Sequence, residues 1–393
     1  MNTYPEVNTP RFRRDLQGLA RFGALPGGGI TRYAYHPDDI KSRHWIADLM
    51  KSSGLEVRFQ PIGDDEAGNV IGVLPGANPD LPPITTGSHN DTVPVGGMFD
   101  GALGIIGALE AARAIAESGT PLQHPLEVIS MVNEEGAPGV RVSGSRTYID
   151  AAKQDGRLPH CFLELHIEQG KRLSGNDLAL AVVEGVVGGD RYSLRIQGEA
   201  NHAGTTPMDD RNDAMCHAAD VILAIRDFAL QKGEMVATVG KLQAHPGAVN
   251  VIAGSVEMSL DVRSMDTGRI DALYEFLKDT VGRRLQLEVQ RMSRRQPVWF
   301  NPRIRQVMGQ VASSLNIGHT KLVSWAGHDA CGFSRVAPTG MIFVSSQGGF
   351  SHCPQEFTTW EDAARGVQTL AETIVELDRL SSEELAERGC DVR

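Results

Sequence analysis

The sequence predicts an α/β fold, in which a mostly parallel central sheet is flanked by helices and a smaller α+β domain is inserted into the chain. Three observations lead to this prediction. Strand and helix patterns alternate along the first half, as they do in parallel sheets. The strands change character after a glycine-rich break at residues 183–190. The first pattern returns from about Pro302 to the end of the chain.

In the first half, apolar residues at helical spacing predict helices at residues 9–22 and 37–53. The second helix opens with Pro37, Asp38 and Asp39, and proline and acidic residues favour a helix N-terminus. Small and apolar residues between positions 101 and 118 predict a further helix. Short apolar runs predict buried strands at residues 57–59, 70–74, 84–88, 126–132 and 162–167.

The inserted domain is recognised by strands in which apolar and polar residues alternate, as in a sheet with one solvated face. Such strands are predicted at residues 192–197 and 256–262, followed by a strand at 287–291. Helices are predicted at 212–230 and 267–285, and a last helix of the main domain at 361–380. The predicted division is therefore a main domain of residues 1–190 and 301–393 and an insert of residues 191–300.

Composition excludes several classes of partner. The 393 residues carry a net charge of -11 without a basic stripe, which argues against nucleic-acid binding. The chain has no apolar run of about eighteen residues, so no membrane span is expected. Its first ten residues lack the layout of a signal peptide, and a cytoplasmic location is expected. Five cysteines without a CxxC pair argue against a disulfide framework or a thiolate zinc site.

The most informative feature is the adjacent pair Glu134 and Glu135, which follows the predicted strand 126–132. Strand ends of α/β sheets are common ligand sites, and neighbouring carboxylates there require a cation or a proton. Other potential ligands also occur at predicted strand ends or in tight loops. They are His89 with Asp91, Asp100, His166 and His352.

The residues suggest a division of roles. Asp91 is two positions from His89 and is assigned a catalytic role as the group that orients this imidazole. Glu135 is assigned to a metal ion and Glu134 to general base and then acid. Asp100 is a candidate bridging ligand, with helix N-cap as the alternative. For His166 the alternative is a hydrogen-bonded core histidine, for His352 a loop-ordering residue.

Carboxylate and imidazole ligands suit Zn, Mn, Co or Ni, and no thiolate selects among these metals. Two such ions about 3.5–4 Å apart would activate water and polarise a carbonyl group. The candidate ligands therefore predict a dinuclear site that hydrolyses an amide-like bond.

These stretches resemble the amidohydrolase branch of the aminoacylase and carboxypeptidase-type dinuclear metallohydrolases. This branch holds N-carbamoyl-L-amino acid hydrolases, β-ureidopropionases and allantoate amidohydrolases. The resemblance extends over most of the chain, and its most specific motifs are residues 164–170 (ELHIEQG), 201–207 (NHAGTTP) and 246–252 (PGAVNVI). His166 distinguishes the branch from ordinary aminoacylases and peptidases, in which an acid usually occupies this position.

The resemblance implies one metal on His89, Asp100 and His166, and a second on Asp100, Glu135 and His352, with Glu134 catalytic. It also implies substrate contacts from Gln169, His202, Asn250 and Arg263. It further implies that the insert acts as a lid and dimerisation domain. In related enzymes the counterpart of His202, which stabilises the oxyanion, comes from the partner subunit of a homodimer.

The chain departs from the family pattern at Asn90, where an apolar residue is usual, and at Asn133, which precedes the two glutamates. His328 and Asp329 match the branch and are given a supporting or substrate-side role. The leading hypothesis is hydrolysis of a ureido (N-carbamoyl) acid or of allantoate. An N-acyl or N-formyl amino acid deacylase is the enzymatic alternative, and a metal-poor protein that binds a small acid is the alternative from another class.

Overall fold

The computed structural model describes residues 5–137, 143–281 and 285–386. Contacts divide the chain into two compact units, Met1–Glu184 with Trp299–Arg393 (unit 1) and Gly185–Val298 (unit 2). Cys390 lies outside the described residues. None of the described helices has both the length and the hydropathy that a membrane span requires.

The strands and helices are numbered in chain order. The strands are β1 Glu56–Ile62, β2 Asp65–Leu74, β3 Ile84–His89, β4 Leu126–Met131, β5 Cys161–Ile167, β6 Leu180–Val186, β7 Gly188–Gln197, β8 Met235–His245, β9 Ser255–Ser264, β10 Leu287–Arg295, β11 Val298–Trp299, β12 His319–Ser324 and β13 Thr339–Val344. The helices are α1 Thr9–Leu19, α2 Pro37–Ser52, α3 Ala102–Ser118, α4 Gly144–Gln154, α5 Ala214–Lys232, α6 Thr267–Glu275, α7 Pro302–Ser314, α8 Ala330–Phe333, α9 Trp360–Leu377 and α10 Ser382–Ala386.

The sheet of unit 1 has the order β1-β2-β4-β3-β5-β13-β6-β11, with β12 paired to β6. Its centre is parallel, because β3 pairs in parallel with β4 and β5, and β5 with β13. Antiparallel pairs flank this centre, between β1 and β2, β2 and β4, and β13 and β6. The predicted α/β fold with a mostly parallel central sheet is confirmed. The carboxyl ends of the four parallel strands therefore meet at one edge.

Helix α3 lies in the core of unit 1, and every residue from Ala102 to Ile115 is buried. Its small and apolar residues on all sides explain this burial. The two charged residues in this stretch have partners from α1: the Glu110 carboxylate accepts from Arg11 Nε at 2.7 Å, and Arg113 Nη1 donates to Asp15 at 2.6 Å. Buried charges are tolerated when they are paired in this way.

Unit 2 contains an antiparallel sheet of order β10-β7-β9-β8. Alternate residues of β7 and β9 are buried, and they form a core with residues of α5 and α6. This arrangement explains the apolar-polar alternation in the sequence. Helix α6 ends at Glu275 and continues as a π-helix, Phe276–Val281, so the predicted helix 267–285 is only partly regular; residues 282–284 lie outside the described residues.

The glycine-rich stretch at residues 183–190 is mostly β-strand, and the boundary between the two units, Glu184 and Gly185, lies within it. Strand β6 continues to Val186 and β7 begins at Gly188. Gly188 and Gly189 pair with Ser264 and Arg263 of β9. Glycine amides and carbonyls form ladder hydrogen bonds like those of other residues, so a glycine-rich stretch can be part of a sheet.

Candidate metal centre

The predicted ligands lie at the carboxyl edge of the parallel strands. His89 is the last residue of β3, and His166 is the second-last residue of β5. Glu134 and Glu135 follow β4, and His352 lies in the loop between β13 and α9. This position is the usual ligand site of an open α/β sheet.

A first group consists of His89, Asp100 and His166, all of them buried. Their potential ligand atoms lie within 4.8 Å of one another. Asp100 Oδ1 is 3.5 Å from His89 Nε2 and 3.1 Å from His166 Nε2. Two imidazoles thus face one oxygen of one carboxylate.

A second group consists of Asp100, Glu135 and His352. His352 Nε2 is 3.2 Å from Asp100 Oδ2 and 3.3 Å from Glu135 Oε1. The two oxygens of Asp100 therefore face different groups, Oδ1 the first and Oδ2 the second. A carboxylate in this position can bridge two cations.

The donor set fits divalent cations. Asp100 Oδ1 and His166 Nε2 are buried and, among the described residues, neither has a hydrogen-bond partner although they are 3.1 Å apart. Buried polar atoms almost always have a hydrogen-bond partner, so two such atoms that face each other without one indicate a binding position for a ligand. The ligands are imidazole and carboxylate without thiolate, which is compatible with Zn, Mn, Co or Ni.

Backbone carbonyls orient both buried imidazoles. Nδ1 of His89 lies 2.9 Å from the carbonyl oxygen of Asp91, and Nδ1 of His166 lies 3.0 Å from that of Ile167. Each contact is satisfied when Nδ1 carries the proton and donates it. Nε2 of each ring is then left available to a metal ion.

The contact of Asp91 differs from the prediction. Its carboxylate is 3.9 Å from His89 Nδ1 and does not orient the ring directly. It accepts instead from the backbone N–H groups of Glu134 at 3.2 Å and Glu135 at 3.1 Å. The backbone carbonyl of Asp91 thus orients His89, and its side chain holds the two glutamates. The second contact forms because the turn after β4 brings the N–H groups of Glu134 and Glu135 against the Asp91 carboxylate.

The turn after β4 determines how Glu134 and Glu135 are presented to the site. Asn133 has a φ of 63°, and its side chain accepts from the N–H of Ala137 at 2.6 Å. The backbone at Asn133 is therefore in the left-handed region and not extended. Glu134 and Glu135 nevertheless both reach His89, since their ligand atoms and those of His89 lie within 4.8 Å of one another.

Burial and nearby charges tune the acids of this site. Burial, together with the negative charges of Asp329 and Glu135, raises the pKa of Glu134 well above its ordinary value. Burial would also raise the pKa of Asp100, but the facing imidazoles, His166 first, lower it well below its usual range. These shifts favour an ionised Asp100 and a Glu134 that holds a proton.

The alternative of Asp100 as a helix N-cap is wrong. Gly101 occupies that position, with a φ of 65°, and α3 has no capping side chain. A Cβ at position 101 would lie 2.5 Å from Cε1 and 2.6 Å from Nδ1 of His89. Glycine is required here both by the backbone conformation and by the space that the imidazole occupies.

Gln169 lies beside the bridging carboxylate. Its Nε2 donates to Asp100 Oδ2 at 2.9 Å and is 3.3 Å from His352 Nε2. Its backbone has a φ of 60°, and its N–H donates to Ser346 Oγ at 3.0 Å. The structure thus brings this predicted substrate contact into the second ligand group.

His328 and Asp329 lie next to the first group. The His328 ring packs against His166 with centroids 4.6 Å apart, and its Nε2 is 2.8 Å from Ser324 Oγ. Burial and the charge of Glu164 raise the pKa of Asp329 to about 7. The ring contact places His328 in the wall around His166, a supporting position, and the interaction with Glu164 places Asp329 near the same strand, β5.

Asn90 has a structural role that the sequence did not indicate. Its side-chain amide donates to Asp39 Oδ1 at 2.9 Å and to Ser42 Oγ at 2.7 Å, both in α2. Its carbonyl accepts from Arg32 Nε at 2.8 Å. The polar residue between His89 and Asp91 therefore fastens the end of β3 to α2.

In unit 2, His202 and Asn250 lie on neighbouring segments, where the N–H of Ala203 donates to the Asn250 carbonyl at 3.0 Å. His202 Nδ1 accepts from the N–H groups of Gly204 at 2.9 Å and Thr205 at 3.2 Å. In the neutral ring the proton is therefore on Nε2, which remains a donor.

Arg263 lies separately in β9, where its Nε donates to Asp261 at 2.8 Å. Its side chain is partly exposed.

The sheet and the paired histidine-carboxylate groups at its carboxyl edge define the architecture of a dinuclear metallohydrolase. The sequence model described as Peptidase family M20/M25/M40 matches residues 85–376, and the chain belongs to this family.

The chain is 33% identical to an N-carbamoyl-L-amino-acid amidohydrolase of Paenarthrobacter aurescens, over 96% of this chain and 100% of the relative. It is 31% identical to an allantoate amidohydrolase of Bacillus subtilis, over 92% of this chain and 96% of the relative. A crystal structure of a putative amidohydrolase/peptidase from Burkholderia cenocepacia superposes with a TM-score of 0.84 at 31% identity, over 96% of this chain and 100% of that one. The resemblance inferred from the sequence motifs is confirmed.

Proposed function

We propose that this protein is an amidohydrolase that cleaves the C–N amide bond of a ureido (N-carbamoyl) acid, as N-carbamoyl-L-amino acid hydrolases do. The observation that carries the proposal is the position of Asp100, whose two oxygens face two separate ligand groups. Glu134 lies beside these groups with a raised pKa. The similarity to the Paenarthrobacter aurescens amidohydrolase over nearly the whole chain supports the substrate class.

The proposed cofactors are two divalent metal ions, Zn, Mn, Co or Ni. His89, Asp100 and His166 would hold one, and Asp100, Glu135 and His352 the other. When bound, such a pair supplies a polarised carbonyl group and a water of lowered pKa.

Glu134 is the proposed proton carrier. A carboxylate oxygen of Glu134 takes a proton from the attacking water while the water oxygen forms a bond to the carbamoyl carbon. The same oxygen then returns the proton to the amino-acid nitrogen as the C–N bond breaks, and the released carbamate decomposes to ammonia and carbon dioxide. A raised pKa suits both steps, because the group must accept and donate near neutral pH. Asp91 is the proposed positioning residue, since it holds the N–H groups of both glutamates.

Unit 1 is the proposed catalytic domain and unit 2 the proposed lid and dimerisation domain of a cytoplasmic homodimer. Nε2 of His202 is a suitable donor to the substrate carbonyl oxygen, because Nδ1 is already an acceptor. We propose that it acts across the dimer. Gln169, Asn250 and Arg263 are the further proposed substrate contacts, and the planar guanidinium of Arg263 suits a carboxylate.

The test is ammonia release after reconstitution with Mn²⁺, Co²⁺ or Zn²⁺. A panel of N-carbamoyl-L-amino acids, N-carbamoyl-β-alanine and allantoate is compared with a Glu134→Gln control, which retains every proposed ligand. We expect turnover of at least one compound by the wild-type protein and loss of that turnover in the variant. Release that never exceeds the variant's would overturn the proposal.

Allantoate is the second candidate substrate, because a relative of 31% identity is named an allantoate amidohydrolase. The same panel distinguishes the two candidates. Turnover of allantoate without turnover of any N-carbamoyl amino acid would replace the first candidate by the second.

A further inference from the structure

Glu356 is a buried carboxylate that lies behind Asp100, and neither the sequence motifs nor the proposed ligand sets include it. It follows His352 by four residues in the loop before α9, and only 5% of its surface is exposed. Its N–H donates to the Cys353 carbonyl at 3.1 Å, so the loop turns back on itself between the two side chains.

The Glu356 carboxylate holds the backbone of the bridging residue. Oε1 accepts from the N–H groups of Phe99 and Asp100, each at 3.0 Å. Oε2 accepts from Ser351 Oγ at 3.2 Å, and the same hydroxyl is 3.4 Å from Asp100 Oδ2. One side chain thus connects the loop of His352 to both the main chain and the carboxylate of Asp100.

Close packing fixes Glu356 against this segment. A Cβ at position 97 would lie 2.2 Å from Glu356 Oε1 and 2.4 Å from its Cβ. The chain from Gly97 to Asp100 therefore wraps around the carboxylate at a distance that only glycine allows at position 97.

The Glu356 carboxylate is satisfied without a cationic side chain. Among the described residues its partners are two backbone amides and one hydroxyl, and it forms no ion pair with arginine or lysine. Buried acids need such donors to remain in place, and these donors belong to the two loops that carry Asp100 and His352.

We propose that Glu356 is a positioning residue of the metal centre, which fixes the backbone of Asp100 so that its two carboxylate oxygens face the two ligand groups. The inference rests on the metal centre of the proposed function. Its physical basis is that a bridging ligand must keep both oxygens in place, and partners behind a ligand commonly change metal affinity by about 10- to 100-fold.

The test is Co²⁺ binding by the full-length protein, followed by the visible absorption of the bound ion. Glu356→Ala removes the acceptors, and we expect about 10- to 100-fold weaker binding and an altered absorption spectrum. Glu356→Gln keeps one side-chain oxygen as acceptor for both amides, and we expect it to restore the wild-type spectrum and most of the affinity.

Asp378 provides a matched control. It is also a buried carboxylate that accepts from two consecutive backbone N–H groups, those of Gln123 at 2.8 Å and His124 at 2.9 Å. Asp378 follows α9, and the two N–H groups that it holds precede β4, at the opposite end of the strands. We expect Asp378→Ala and Glu356→Ala both to lower the melting temperature of the metal-free protein, and we expect Asp378→Ala to leave Co²⁺ affinity and the spectrum unchanged.

The outcomes separate this inference from the proposed function. If the wild-type protein takes up no Co²⁺, the metal centre and the inference both fail. If it binds Co²⁺ and Glu356→Ala matches it or merely behaves like Asp378→Ala, only the inference fails. A Glu356→Gln variant as impaired as Glu356→Ala would also overturn it, because charge rather than hydrogen bonding would then be the cause.

Should Glu356→Ala not fold, Glu356→Asp tests the same link. It keeps the charge but shortens the side chain by one methylene, which draws the acceptor away from the N–H groups of Phe99 and Asp100. An altered Co²⁺ spectrum would support the inference, and an unchanged spectrum and affinity would overturn it.

Discussion

The stacked pair His124 and His160 makes a quantitative prediction about acid stability. Both rings are buried, with centroids 4.1 Å apart and an interplanar angle of 28°. His124 precedes β4 and His160 precedes β5, so the pair lies at the amino ends of these strands. His160 Nε2 has no hydrogen-bond partner among the described residues.

Burial, reinforced by the neighbouring His124, lowers the pKa of His160 to about 4. The unfolded chain binds this proton below about pH 6.5, whereas the folded chain resists it until about pH 4. Folding stability is therefore unaffected above pH 6.5 and falls as the pH drops through this window. The loss is about 2 kcal/mol near pH 5 and roughly 3 kcal/mol once both states are protonated.

The assay is urea unfolding of the wild-type protein and of His160→Phe, in chelator, from about pH 8 to about pH 5. Phenylalanine keeps a ring against His124 but cannot bind a proton. Above pH 7 the two proteins should differ by a constant amount. Near pH 5 the wild-type protein should have lost about 2 kcal/mol more than the variant. Parallel stability curves over the whole range would refute the reasoning.

Three further predictions concern the site. Gly101→Ala should weaken Co²⁺ binding by about 10-fold or more, because the added Cβ would overlap the His89 ring; an unchanged titration curve would contradict this. Asp100 and Glu135 raise the pKa of His352 to about 10, so metal loading near pH 7 should release a proton and tighten as the pH rises. Calorimetry in two buffers of different ionisation enthalpy measures this release, and equal heats would argue against it. Asn90→Leu should lower the free energy of unfolding by about 1–3 kcal/mol, since it leaves buried acceptors without donors; a urea midpoint equal to the wild-type value would count against that role.

The parallel centre of the fold could be predicted because its strands are short and mostly lack charged residues, as expected of strands buried on both faces. β3, β4 and β5 are buried along their whole length; the apolar signal is clear in β4 and β5 and weaker in β3 (ITTGSH). β8 was missed because most of its residues are exposed or half-buried, which leaves no clear periodicity. The strand pairing of Gly188 and Gly189 could not be predicted from composition, because ladder pairing depends on the neighbouring strand, β9, about 70 residues away.

The candidate site was predictable at the level of residue type and position. The five predicted metal ligands and Glu134 lie in shared groups at one sheet edge, whereas the predicted contacts His202, Asn250 and Arg263 lie in unit 2. Their roles remain predictions. Glu356 could not be found in this way, because a single acid in a loop has no distinctive pattern, and its contacts involve amides more than 250 positions away in the chain.

The amino ends of the parallel strands carry the stacked histidines, and the carboxyl ends carry the candidate metal centre. Strand β5 has His160 immediately before it and His166 near its far end, a separation of about 20 Å at roughly 3.3 Å per residue. At such a distance, we expect changes around the stacked imidazoles to leave the geometry of the candidate metal centre unaltered. Substitutions at the amino ends of these strands are therefore a route to a form of this protein that tolerates acidic media, with the residues at the carboxyl ends left unchanged.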